Sequence, residues 1–271
     1  QVEELIAGYA IVTIPEGLID TFTGLDEVEF VEKPKRLYFS TQKGKLGSCI
    51  YPVTAREPYL TGQGVLIAVI DSGIDYESPE FRDAQGNTRI QFLWDQTLNA
   101  GQVNELLPQE AAEFAEKAAP PDGFGIGVEF SKYRIDAALK SRFPKQIVPS
   151  VDTSGHGTAV AAIAAAQYQG VAPESELLIV KMGTPMPNSF PKTTELMRAM
   201  TYVIKKAVEM GKPLAINLSF GNTYGSHEGT SLVERFLDNA AEIGRNVVCV
   251  GSGNEGAAGG HVAGSFGPNT G

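Results

Sequence analysis

Four short apolar runs constrain this chain more than any other feature: "VLIAVI" at residues 65–70, "LLIV" at 177–180, "LAINL" at 214–218 and "VVCV" at 247–250. Each is too short to stand as a helix, is rich in β-branched residues and does not alternate with polar ones. A strand that is apolar at nearly every position needs cover on both faces, the situation of a parallel sheet with helices on either side. Helical periodicity fills the intervals, over 158–167, 194–210 and 231–243. The alternation predicts an α/β fold built on a doubly wound, mostly parallel sheet. In such sheets functional groups gather at the carboxyl ends of the strands.

Two further zones flank or interrupt that pattern. In residues 1–48, "YAIVTI" (9–14) reads as a strand and Pro15 suits a first helical turn. Leu18, Ile19, Phe22 and Leu25 follow at helical spacing. "EVEFVE" (27–32) and "RLYF" (36–39) read as further strands, and "STQKGKLGS" (40–48) as a linker. This predicts a small α/β unit, too small to be very stable alone. Residues 49–271 then hold the large domain, interrupted by an insertion at about 96–150. The insertion offers a helical piece at 105–117, the break "PPDGFGIG" (120–127) and a basic helical piece at 132–142. It matches no repeat and reads as surface decoration. The chain opens on Gln1 without a methionine, which reads as a fragment or a processed product.

Composition excludes some functions. With 32 acidic against 22 basic residues the net charge is −10, which disfavours nucleic acid and anionic membranes as partners. The longest run of small apolar residues, "AVAAIAAA" (159–166), is far short of the ~20 needed to span a bilayer. Two cysteines make no disulfide framework. Cys49 lies in a polar stretch, Cys249 lies in a β-branched run that reads as buried, and free thiols are expected. His227 and His261 have no partners at metal-ligand spacing, so no metal site is predicted.

Three residues at predicted strand ends carry possible chemistry. Asp71 closes the first run in "AVIDSGID", where an ionised carboxylate needs a partner. An Asx turn is the plainer alternative, and a phosphoryl-transfer pair is excluded because the next aspartate, Asp75, is not two positions on. His156 stands between glycines in "DTSGHGTAV", at the start of a helix of small residues. A neutral imidazole beside a carboxylate is a general base, and a helix-capping histidine is the alternative. Asn254 lies in "VVCVGSGNEG" (247–256), whose Gly251, Gly253 and Gly256 spell G-x-G-x-x-G. A dinucleotide turn must open a helix and meet an acidic residue ~20 positions on. The glycine-rich "AAGGHVAGSFGPNTG" that follows suits no helix. What remains is an amide at a strand end, a neutral donor suited to a developing oxyanion.

Together these motifs resemble the subtilases, the subtilisin-like serine endopeptidases. "AVIDSGID" resembles the family's aspartate motif, "SGHGTAVA" its histidine motif and "SGNEG" its oxyanion-asparagine motif, while "INLSFG" (216–221) resembles its substrate-pairing strand. Residues 1–48 resemble the inhibitory propeptide. The whole, including "GVEFSKYRIDAAL", is most similar to the clostridial spore-germination proteases. The resemblance implies catalytic roles for Asp71, His156 and Asn254, and substrate contacts at Ser219, Phe220, Gly221, Ser252 and Gly253. It implies a protein or peptide substrate, the chain's own propeptide as a partner, and a secreted or spore-associated setting.

The departures are equally specific. The family's nucleophilic serine lies in a G-T-S-x-A-type motif after the asparagine, whereas the "GTS" at 229–231 precedes it. Ser231 reads instead as a helix N-cap with Glu234 at capping-box spacing. The nucleophile is therefore expected beyond Gly271, in a carboxyl-terminal segment. "AAAQYQGVAPES" (164–175) passes from helix to turn without the polar loop that binds calcium in many members, so no cofactor is expected. A catalytically silent homologue, used for binding or sensing, is the alternative to an active endopeptidase.

Overall fold

The computed structural model describes residues 2–4, 10–12, 14–28, 31, 48–107, 117–183, 192–219 and 228–251. The chain divides into two units, Gln1–Ser40 and Thr41–Gly271. In the first, β1 (Val2–Glu4) and β2 (Ala10–Val12) pair antiparallel with Val2 opposite Val12. β2 falls within the predicted first strand, and β1 was not predicted. Pro15 precedes a single 3-10 turn at Glu16–Leu18, which runs on into α1 (Ile19–Thr23). Half of the strand predicted at 27–32, all of that at 36–39 and nearly all of the linker lie outside the described residues.

The second unit begins with a short helix, α2 (Tyr51–Ala55). Its centre is a six-stranded sheet of β3 (Leu66–Asp71), β4 (Ile90–Asp95), β5 (Val128–Ser131), β6 (Glu176–Lys181), β7 (Leu214–Leu218) and β8 (Asn246–Val250). The order across the sheet is β5-β4-β6-β3-β7-β8, parallel throughout except for antiparallel β5. All four apolar runs are strands, and β4 and β5 are additional to them. Alternation along β3 shows the double winding. Ile67 and Val69 join the core on one face, while Leu66, Ala68 and Ile70 join the core on the other.

The helices of the second unit continue with α3 (Ala100–Leu106), α4 (Lys132–Lys140), α5 (Pro144–Ile147), α6 (His156–Ala165), α7 (Thr193–Glu209) and α8 (Leu232–Ala241). α6 packs on β3 through Ala161 and Ala165, with Gly157 one turn earlier on the same stripe. α7 buries Leu196, Ala199, Met200, Val203 and Ala207 at helical spacing against the opposite face. Ser231 caps α8, its Oγ accepting from the Glu234 N–H while the Glu234 carboxylate accepts from the Ser231 N–H.

The insertion is not decoration. β5 extends the sheet, and Val103, Ala118, Val128, Phe130, Ile135, Ala138, Ile147 and Val148 are all buried in the core shared with β3, β4 and β6. The break at 120–127 is also anchored, since Phe124 forms an aromatic cluster with Trp94 and Tyr202, and Trp94 donates its indole N–H to the Ile126 carbonyl. Composition hid this because the apolar residues here alternate with charged ones, as suits an edge strand and amphipathic helices. The first helical piece stands at Ala100–Leu106, ahead of the expected 105–117, and residues 108–116 lie outside the described ones.

Candidate active site

β3, β6 and β4 end in register, so that Asp71 pairs with Lys181 and Lys181 with Asp95 at the carboxyl rim of the sheet. Asp71 is the last residue of its strand and is buried, whereas His156 begins α6 with its ring accessible. Their side chains are 5% and 54% exposed respectively. The ring's Nδ1 lies 2.7 Å from Asp71 Oδ1. The same oxygen accepts the Ser72 N–H at 2.7 Å, so the turn reading of Asp71 and the pairing with histidine are both satisfied. Asp71 Oδ2 is buried and has no hydrogen-bond partner among the described residues. A carboxylate so poorly solvated attracts a positive charge on the adjacent ring strongly.

Glycine makes that approach possible. A Cβ on Gly157 would sit 2.2 Å from the Gly73 carbonyl oxygen, which no real contact allows, and a tight 3.1 Å from Asp71 Cβ. Gly155 caps α6 with φ of 73°, a left-handed turn that glycine adopts without cost. The "SGHG" pattern is thus a steric requirement for bringing residues 85 positions apart into one hydrogen bond. His156 does not cap its helix with its side chain. Its own N–H donates to Ser154 Oγ at 3.0 Å.

A second carboxylate joins these segments. Asp152 Oδ1 accepts from Ser72 Oγ (2.8 Å) and the Gly155 N–H (3.0 Å), and its Oδ2 from the Thr158 N–H (2.9 Å) and Thr158 Oγ1 (2.6 Å). Burial opposes its ionisation, but the hydrogen bonds from Thr158, Ser72 and Gly155 outweigh burial and hold its carboxyl below the usual range. Sequence reasoning passed over Asp152 and Ser72. The available signal was an aspartate just ahead of a helix start, a frequent source of acceptors for its first turn.

Of the other predicted residues, Ser219 follows β7 and its Oγ accepts from Asn217 Nδ2 at 2.6 Å. Gly251 follows β8 and donates its N–H to the Leu218 carbonyl at 2.9 Å. The approaches to the predicted substrate strand and to the asparagine turn therefore lie side by side. Phe220, Gly221, Ser252, Gly253 and Asn254 fall outside the described residues, as do His227 and His261. Cys249 is exposed rather than buried, and among the described residues β8 pairs with β7 alone.

In the segment after α6, the Glu174 carboxylate accepts from the Thr61 hydroxyl. Among the described residues no three His, Cys, Asp or Glu side chains converge as a metal site.

The family model for the subtilase family matches residues 62–269. The chain belongs to the subtilase family. A model for the Csp protease B prodomain matches residues 1–35. Among solved structures, the CspB protease of Clostridium perfringens is similar at 35% identity with a TM-score of 0.64, covering 79% of this chain and 41% of that one. These two matches place this subtilase in the clostridial branch. The chain spans about two fifths of the CspB chain's length. Sphericase is similar at 20% identity with a TM-score of 0.47, covering 76% of this chain and 52% of its own. No curated protein sequence matches.

Proposed function

We propose that this subtilase is the amino-terminal part of a serine endopeptidase that cleaves protein substrates through an acyl-enzyme. The observation that carries the reading is the Asp71–His156 pair, a buried carboxylate on Nδ1 of an accessible imidazole. With Nδ1 turned to Asp71, Nε2 is the ring nitrogen available to a nucleophile. In the acylation step Nε2 takes the proton of a serine hydroxyl as its oxygen attacks the peptide carbonyl, then passes that proton to the leaving amine. Asp71 holds the tautomer and stabilises the imidazolium that forms between those transfers. The serine is supplied by a G-T-S-x-A-type motif that follows Asn254 in the parent protein.

Asn254 donates its amide N–H to the tetrahedral oxyanion, and losing one such donor costs ~10²–10³ in rate. Ser219, Phe220 and Gly221 pair with the substrate backbone as an added strand, while Ser252 and Gly253 wall the pocket for the side chain before the cleaved bond. The amino-terminal unit acts as a folding aid and inhibitor, in keeping with its prodomain match. Deleting residues 1–48 is expected to slow refolding, and equal refolding rates would remove that role.

A fluorophosphonate probe tests the chemistry. The full-length protein, freed of its propeptide, is expected to be labelled at one serine, and His156→Ala to abolish labelling. Absence of label on folded, propeptide-free protein overturns the reading in favour of a silent homologue.

A further inference from the structure

His156 is held in place by more than its bond to Asp71. We propose that Asp152 is a positioning residue for the Asp71–His156 pair, acting through Ser72 and the first turn of α6; the reaction it serves is the endopeptidase reading above. Its carboxylate receives four hydrogen bonds, one from the residue that follows Asp71 and three from the residues around His156. Ser72 Oγ donates to Asp152 and accepts from the Gly157 N–H at 3.0 Å and from Ser154 Oγ at 2.9 Å. Thr158 Oγ1 donates to Asp152 and accepts from the Asp75 N–H at 2.9 Å. Each hydroxyl has one proton to give, and in this network each proton has one destination. Segments 71–75 and 152–158 are thereby laced together on both sides of the Asp71–His156 bond, and Asp152 is the acceptor on which the two lacings meet.

Asp152 is itself anchored from behind. The carbonyl of Val151 accepts from Lys181 Nζ at 2.9 Å. That ammonium lies 3.4 Å from Asp95 Oδ2, which accepts Ser150 Oγ at 2.7 Å. The peptide leading into Asp152 is thus tied to the ends of β6 and β4, and cannot swing out without breaking the hydrogen bonds from Lys181 and from Ser150. No bond runs from Asp152 to the imidazole, so it acts by fixing the helix start. Small displacements at this point matter, because a misplacement of about 1 Å can cost on the order of 10² in rate.

The test uses Asp152→Ala, Asp152→Asn and Ser72→Ala in the full-length protein, with two readouts. In peptide hydrolysis, kcat should fall about 100-fold for Asp152→Ala and about 10-fold for Asp152→Asn, with KM within about twofold. In the 15N-histidine-labelled protein the Nδ1–H signal of His156, assigned by its loss in His156→Gln, should be present in the parent. It should be lost to exchange in Asp152→Ala and Ser72→Ala, and weakened in Asp152→Asn. Folded Asp152→Ala and Ser72→Ala proteins with the parent's signal overturn the proposal. If Asp152→Ala does not fold, the other two variants decide by the same signal. The signal decides whether or not turnover is seen, so an inactive parent counts against the endopeptidase reading and not against the positioning role.

Discussion

The two outermost described strands of the central sheet, β5 and β8, differ in direction and in burial. At one edge, β5 is a short antiparallel strand whose Val128 and Phe130 are fully buried. Between them Glu129 faces α7, taking a hydrogen bond from Tyr202 Oη at 2.6 Å and an ion pair from Lys206 at 2.9 Å. At the other edge among the described residues, β8 is the more apolar strand, yet Val247 is 55% exposed and Val250 58%. An apolar run is evidence for a strand. It is not evidence for burial, which depends on what the rest of the chain lays over each face.

The strongest test of that contrast is Phe130→Ala. It removes a buried ring from β5 and should cost about 3–5 kcal/mol in denaturant unfolding. A loss under 1 kcal/mol would restore the insertion to the status of decoration.

Tyr202→Phe should come next, costing about 1–2 kcal/mol at neutral pH because Glu129 loses a donor. Burial, reinforced by Glu129, raises the Tyr202 phenol well above its usual value. The neutral phenol therefore contributes its full stability below the unfolded value near ~10, and that contribution falls as pH rises beyond it. Unfolding followed from about pH 9 to 11 should show the parent losing stability more steeply than Tyr202→Phe. Parallel curves would mean the phenol is solvated.

The smallest effects belong to β8. Val247→Ala should change stability by no more than about 0.5 kcal/mol. Cys249 should react with a thiol reagent in the native protein at a rate comparable to that of Cys49, both being exposed. Protection of Cys249 alone would show that β8 is covered and would erase the difference between the edges.

Much of the site was legible before any coordinates, for identifiable reasons. Asp71 was placed at a strand end because five apolar residues precede it. His156 was placed at a helix start because small residues follow a glycine. The Ser231–Glu234 capping box was readable as a spacing of three. Asp152 was not readable in the same way. Its partner Ser72 lies 80 residues earlier, and nothing in the local pattern points there.

Sequence alone determined four of the sheet's strands with the helices between them, the strand-end position of Asp71 and the glycines beside His156. Those properties are carried by near neighbours through periodicity, capping and backbone freedom. Tertiary structure alone decided that Val128 and Phe130 of β5 are buried while Val247 and Val250 of β8 are exposed, that one imidazole nitrogen faces Asp71, and that Asp152 ties the two segments together. Burial and hydrogen-bond partners are set by the register of segments distant along the chain, which no local pattern encodes.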